Sequence, residues 1–405
     1  MAAVYEVVRS GFAFRAVPIS VVYLRACWSS HHDARVPRDL LIVRTTSQRQ
    51  LMYPRIVSFS TARLAPLAVA VVLCSTGCTR ESQARVATDT ARATTVTTSA
   101  GDVALDTTHH AAATPASPRV PNEMGRVPVL MYHLVGDHES SWGRERENFR
   151  RDLALLYERG YRPVNMVDVL DRKIDLPAGL SPVVFTFDDA SPSQFRYIER
   201  DGKLVIDSSS ALGIWLDFAK SHPGWGNKAV FCMLPAAAAG HAFFGERNIE
   251  GQKSAWRFKK VQELAAMGFE LCDHTLWHAQ LNKYSDAVVQ EQIARGLMAI
   301  DSAVPGYKVR SFALPLGIWP KNRALAKSGS WTDPKTGKTV RYDFDAIFEV
   351  SGYPVPSPYS PSFNPLSVQR LKVTGNSLAN VLDRLDRTGE RYISDGNAAV
   401  VARRQ

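Results

Sequence analysis

From Val127 to its end the chain alternates short apolar runs with stretches whose apolar residues recur every three or four positions, and this alternation constrains the fold more than any other feature. Val127-Pro-Val-Leu-Met-Tyr-His133 and Val183-Val-Phe-Thr-Phe187 read as buried strands, and Ala229-Val-Phe-Cys-Met-Leu234 and Phe269-Glu-Leu-Cys272 as two more. Between them Phe149, Leu153 and Leu156 mark a helix that stops at Gly160, and Leu212, Trp215, Leu216 and Ala219 mark another. Phe258, Val261, Leu264 and Ala265 give a third, ended by Gly268, and Ser285 is placed to cap a fourth through Val289, Ile293, Leu297 and Ile300. Residues 309–314, 344–350 and 366–373 complete the strands, and a last helix falls near 378–385. Asp201-Gly202, between two strand-like runs, predicts a hairpin turn. Strands and helices in this order imply parallel strands joined by crossover helices, in a βα barrel or a doubly wound sheet. Either architecture gathers its chemistry at the C-terminal ends of the strands.

The 405 residues suffice for one large core with tails. The net charge of +10 invites a nucleic-acid reading, but six of those charges sit in residues 1–63, where nine Arg face only Glu6, Asp33 and Asp39. The remainder has no basic block with interleaved aromatics, so no nucleic-acid partner is expected. Arg55 and Arg63 precede an apolar run at 64–73 and then Cys74-Ser-Thr-Gly-Cys78, the pattern of a secretory signal. The run is too short for a bilayer span, which takes about 20 apolar residues. With Met52 as the start, 52–78 is a signal of ordinary length and 1–51 an extension with no part in the fold. The small residues running into Cys78 resemble a lipobox, although Ser75 stands where Leu is usual. Lipid attachment at Cys78 and simple cleavage both stay open, and a membrane contact would run through that anchor alone. Residues 79–125 are rich in Ala, Thr, Ser and Asp and read as a flexible tether, with His109 and His110 a solvated pair inside it. A single catalytic domain is expected over 126–402. Cys232 and Cys272 lie in apolar runs and read as small buried hydrophobes, with a bridge between them open in an oxidising compartment.

Two short motifs carry the chemistry. Thr186-Phe187-Asp188-Asp189 follows an apolar strand, and two adjacent carboxylates there repel one another and resist burial. Alone, such a pair reads more readily as a solvated turn or a helix cap. Asp273-His274-Thr275-Leu276-Trp277-His278 follows another apolar strand, and two His four apart can reach one metal from a single turn. Two imidazoles and a strand-end carboxylate make a three-ligand set with an open position, as catalytic zinc sites require.

Together, Thr-Phe-Asp-Asp and His-Thr-x-x-His resemble the signature of the polysaccharide deacetylase family, the nodulation-deacetylase-like domain of carbohydrate esterase family four, over roughly residues 126–400. The resemblance implies a distorted (β/α) barrel, Asp188 as the catalytic base, and Asp189, His274 and His278 as metal ligands. It implies hydrolysis of acetyl groups from an amino-sugar polymer, with a divalent metal: zinc, though cobalt, nickel or iron suits the same ligands. The family's third motif, Arg-x-Pro-Tyr-Gly, stands here as Ala313-Leu-Pro-Leu-Gly317. The Leu316 N–H then matches the oxyanion donor, while the Arg that orients the base is replaced by Ala313, and Arg370 is the candidate to supply its charge. No His follows His278, where much of the family keeps its acid. Val129-Leu-Met-Tyr-His133 resembles the first strand of the circularly permuted poly-N-acetylglucosamine deacetylase branch, which makes His133 the candidate acid; a core His bonded to backbone is the other reading. The same site would serve an O-acetyl esterase acting on a polymer such as xylan. The altered third motif also leaves room for a glycan binder without turnover. Tyr359, Trp215 and Trp319 are candidates for sugar stacking, with packing as their ordinary role; His138, His222 and His241 have no motif around them.

Overall fold

The structure, a computed structural model, describes residues 119–236, 242–398 and 401. The expected extension, the signal with Cys78, the tether as far as 118 and His241 lie outside the described residues.

Seven parallel strands form the core: β1 (Val129–Tyr132), β2 (Ser181–Phe187), β3 (Val230–Met233), β4 (Glu270–Asp273), β5 (Ser311–Ala313), β6 (Ala346–Phe348) and β7 (Leu371–Lys372). Their order is β6-β5-β4-β3-β2-β1-β7, and Tyr161–Pro163 adds alongside the start of β2. An isolated parallel bridge joins Phe348, at the end of β6, to Val368, in the segment entering β7. The two ends of the sheet thus meet, and the architecture is the expected distorted (β/α) barrel rather than an open doubly wound sheet. Helices α1 (Arg146–Glu158), α2 (Ala211–Ser221), α3 (Arg257–Ala266), α4 (Asp286–Ala303) and α5 (Ser377–Thr388) follow the strand periodicity closely. The Ser285 hydroxyl accepts from the Val288 N–H, the cap expected there. Among the described residues no helix is long and apolar enough to cross a membrane.

The strands alternate strictly between two apolar environments. Leu130, Tyr132, Phe185, Phe187, Phe231 and Leu271 pack outward under the helices. Val129, Val184, Val230, Cys232, Cys272, Ala313, Phe348 and Val368 fill the barrel interior. Buried on both faces, β2 reads as a continuous apolar run rather than an alternating one. The two-residue period then decides where the chemistry goes. Two or four steps beyond these interior positions come His133, Asp188 and His274, so these polar residues continue the interior line at the C-terminal mouth, while Arg370, two beyond Val368, comes from just before β7.

Four differences from the sequence reading have physical causes. The tether does not run to 125: Asn122 pairs with Ile393, its Nδ2 donates to the Arg391 carbonyl at 3.0 Å, and Gly125 lies so close that a Cβ would stand 2.3 Å from that carbonyl oxygen. The last strand is shorter than 366–373, because Pro365 opens a 3₁₀ turn and only Leu371–Lys372 joins the ladder. The hairpin Ser328–Thr332 with Thr339–Asp343 was not foreseen, since a mostly exposed ribbon carries little apolar alternation. Cys232 and Cys272, at paired register positions on β3 and β4, are joined as a disulfide. Asp201-Gly202 does turn the hairpin between Tyr197–Arg200 and Lys203–Ile206.

Candidate functional site

Three strand-end loops and the last strand converge on one cleft. The first follows β2, where Asp189 and Ala190 both take positive φ, 77° and 47°. Left-handed backbone at two successive non-glycine residues is strained, and it turns Asp188 and Asp189 to different partners. The second follows β4, where Thr275 and His278 are also left-handed, and the His278 N–H donates to the Thr275 hydroxyl at 3.1 Å. From beneath, the Thr275 N–H donates to Asp273 Oδ1, and Gly296 of α4 leaves that carboxyl its room: a Cβ there would stand 2.1 Å from Oδ1. The third loop runs through Pro315–Gly317.

Asp189, His274 and His278 form a group whose ligand atoms all lie within 4.8 Å of one another. Asp189 Oδ1 is 3.3 Å from His274 Nε2 and 3.5 Å from His278 Nε2. Two ligands bonded to a tetrahedral zinc at 2.0–2.1 Å stand about 3.4 Å apart, so the spacing fits. The chemistry of the donors fits as well. His274 Nδ1 lies 2.8 Å from the Ala313 carbonyl, to which it donates, so Nε2 is the nitrogen turned toward Asp189. His274 Nε2 and Asp189 Oδ1 are buried with no hydrogen-bond partner, an arrangement that costs free energy unless an ion takes both. Burial, followed by the charge of His274, pushes His278 down to about 4, so its imidazole is neutral at pH 7. Burial would raise the Asp189 carboxyl, but its contact with His274 and the neighbouring imidazoles win and hold it well below the usual carboxylate range.

Asp188 belongs to a different partner. Arg370, fully buried, holds it in a two-pronged pair: Nη1 to Oδ1 at 2.7 Å and Nη2 to Oδ2 at 2.8 Å. Nη1 also donates to the Thr186 hydroxyl at 3.0 Å and Nε to the Glu349 carbonyl at 2.6 Å, so the guanidinium cannot turn away. Burial raises the Asp188 carboxyl, yet the charge of Arg370, then that of His274, outweighs it and the net direction is down. Asp188 is therefore an ionised carboxylate with no share in the three-ligand group. A guanidinium from the residue just before β7 pairs with the candidate base, the role the resemblance gives to the position occupied here by Ala313.

His133 Nε2 lies 3.9 Å from Asp188 Oδ2. Burial pulls its pKa below the ordinary imidazole value against the pull of Asp188 and Asp189. Leu316 takes φ 59°, its side chain is exposed, and its N–H is used by neither of the turn's hydrogen bonds, which run from Gly317 to Leu314 and from Ile318 to Pro315. Gly317, at φ 66°, is required there: a Cβ would come within 2.5 Å of Val350.

Sequence reasoning missed two contributors. Gln194 donates to the backbone carbonyls of both His133 and Asp188, tying the candidate acid and base together. Trp142 lies against His133 with ring centroids 4.7 Å apart. Of the proposed stacking residues, Trp215 is a core residue, buried and donating to the Gly226 carbonyl. Trp319 is held by Glu349 and covered by Arg323, and Tyr359 donates to the Arg172 carbonyl.

Residues 226–329 match the model of the family described as polysaccharide deacetylase, a span that includes His274, His278 and the third loop. The matched span holds the second of the two motifs, His274 to His278, but not Asp188-Asp189. No curated protein sequence matches the chain. Among solved structures, it is similar to the deacetylase PplD of Streptococcus pyogenes in complex with acetate, at 16% identity, covering 64% of this chain and 97% of that one with a TM-score of 0.45. It is similar to IcaB from Ammonifex degensii at 21% identity, 64% and 96% coverage and a TM-score of 0.44. A polysaccharide deacetylase from Bacillus cereus aligns at 17% identity, 64% and 69% coverage and a TM-score of 0.44.

Proposed function

We propose that this chain is an exported, metal-dependent deacetylase that hydrolyses the N-acetyl groups of an N-acetylglucosamine-containing polysaccharide. The observation that carries the reading is the division of labour between two adjacent carboxylates. Asp189 shares its free oxygen with His274 and His278, while Asp188 is kept ionised and separate by Arg370. A divalent ion held by the first three would polarise the acetyl carbonyl and lower the pKa of a water. Asp188 accepts the proton of the attacking water, its carboxylate fixed at the strand end by both guanidinium prongs. His133, its Nε2 3.9 Å from Asp188, passes the proton that Asp188 has taken from water on to the departing nitrogen, which leaves as an amine only once protonated. The Leu316 N–H donates to the oxygen of the tetrahedral intermediate. The resident metal in this reading is zinc. The Cys232–Cys272 bridge supports export, since such bonds persist in oxidising compartments, as does the signal-like pattern ending at Cys78.

The Arg370 pair speaks against a binder without turnover, because a buried guanidinium aimed at a carboxylate outside the ligand group has no use in holding metal or glycan. The test is metal content followed by acetate release from N-acetylglucosamine oligomers, peptidoglycan and acetylated xylan. One bound metal and release from the N-acetylated substrates is expected. Release from xylan alone transfers the reading to an esterase, and metal without release from any substrate ends the enzyme reading.

A further inference from the structure

We propose that Trp142 is the platform on which a sugar ring adjoining the acetylated residue stacks, so that it sets the preference for polymer over small acetyl compounds. The inference rests on reading the site as a polysaccharide deacetylase. Trp142 is 36% exposed, although it is anchored in the rim of a deep apolar barrel. Its ring leans on the His133 imidazole at 4.7 Å with the planes tilted by 56°, and the Lys372 ammonium stands 4.4 Å from its centroid. The three residues, with Ser141 and Arg144, line a small cavity beside the candidate acid.

The loop that presents Trp142 is fixed by buried charge rather than by packing of the indole. Arg144 grips Asp152 with two bonds of 2.8 and 2.7 Å and Glu139 with a third of 2.7 Å. Glu139 in turn accepts from the Glu145 N–H, the Asn148 side chain and the Gly375 N–H, and Asp152 accepts from Tyr132, the neighbour of His133. The Leu134 N–H donates to the Trp142 carbonyl at 3.0 Å. One ionic network therefore sets both the end of β1 and the loop above it, and holds an indole in water at a chosen place. Such preorganisation favours binding because little freedom is lost when a ligand arrives. A pyranose offers an apolar face of C–H groups and an edge of hydroxyls, which suits the exposed part of an indole that carries an ammonium over its ring. His133 serves the departing nitrogen of the reacting sugar, so the ring that meets Trp142, one ring further out, is that of the adjoining residue.

The test compares the wild type with Trp142→Ala and Trp142→Phe, on an N-acetylglucosamine tetramer and on a small aryl acetate ester. Trp142→Ala is expected to raise KM for the tetramer about tenfold and to lower the tetramer-over-ester preference by the same factor, with Trp142→Phe recovering most of it. A purely structural role, such as steadying His133, would lower kcat on both compounds alike and leave the preference unaltered; that result overturns the proposal. Calorimetric binding of the tetramer decides the matter without turnover. If no substrate releases acetate, the deacetylase reading falls, while tetramer binding that weakens in Trp142→Ala still supports the platform. Equal affinity in wild type and variant overturns it.

Discussion

Asp188 and Arg370 form the kind of pair whose members cannot be judged singly. Both are buried, and a lone charge left behind in such a place costs about 3–5 kcal/mol when its partner is cut away. Arg370→Ala should therefore lose stability as well as rate, and Arg370→Ala with Asp188→Asn should recover stability but not rate. The expected loss of kcat is at least about a hundredfold in Arg370→Ala, with metal content retained, because the guanidinium touches none of the three ligands. Turnover close to wild type in a folded Arg370→Ala protein would remove the residue from the mechanism. His133→Ala should slow deacetylation by about a hundred-fold or more at unchanged metal content, and unaltered rates would return His133 to the core. The residues legible in the sequence were those whose chemistry is concentrated locally: Asp188-Asp189 and His274-x-x-x-His278 are rare combinations at strand ends. Arg370 was legible only as a charge of the right kind, and its bidentate grip on Asp188 depends on barrel closure. Trp142 was not legible at all, since its meaning comes from His133 on one strand and Lys372 on another.

At the scale of elements the alternation of apolar runs was read with few errors, because buried parallel strands and amphipathic helices advertise themselves through their period. What escaped was short or polar: the exposed ribbon 328–343, and the pairing of 119–125 with the closing segment, where a backbone bridge at Asn122 and its polar side chain make the contact. The ends of the strands are unequal in purpose. At the N-terminal end of β4, Glu270 accepts from the Val167 N–H at 3.0 Å and the Ser311 hydroxyl at 2.9 Å, far along the strand from the ligands. Burial, against those two hydrogen bonds, pushes it up to about 7. An acid whose folded pKa exceeds its unfolded value of 4.5 keeps its proton longer when folded. Its contribution to stability is then full below about 4.5 and is lost as pH rises through 7, by about 3 kcal/mol. Glu270→Gln keeps an acceptor for Val167 and a partner for Ser311 but never ionises. Its denaturation midpoint should fall less than that of the wild type between pH 5 and pH 8. Parallel falls would show that Glu270 does not titrate in that window.

For the molecule as a whole, the barrel must hold the candidate ligands that follow β2 and β4 in register without a closed eight-strand ring to enforce it. The two ends of the sheet meet through one bridge at Phe348 and Val368, whereas β3 and β4 pair over four positions from Val230–Glu270 to Met233–Asp273. The Cys232–Cys272 bond ties these two strands together two residues before His274, inside the barrel and shielded from solvent. With its halves 40 positions apart in sequence, it removes loop entropy from the unfolded chain worth about 4 kcal/mol. For a domain of this size that corresponds to a shift in Tm on the order of 10 °C. Protein made in an oxidising compartment should therefore melt well above the same chain made and kept reduced. The double variant Cys232→Ala, Cys272→Ala should melt near or below the reduced form, because it adds two small cavities to the lost bond. A reduced chain that melts with the oxidised one would show that the bond stabilises nothing, and would also withdraw the support it lends to export.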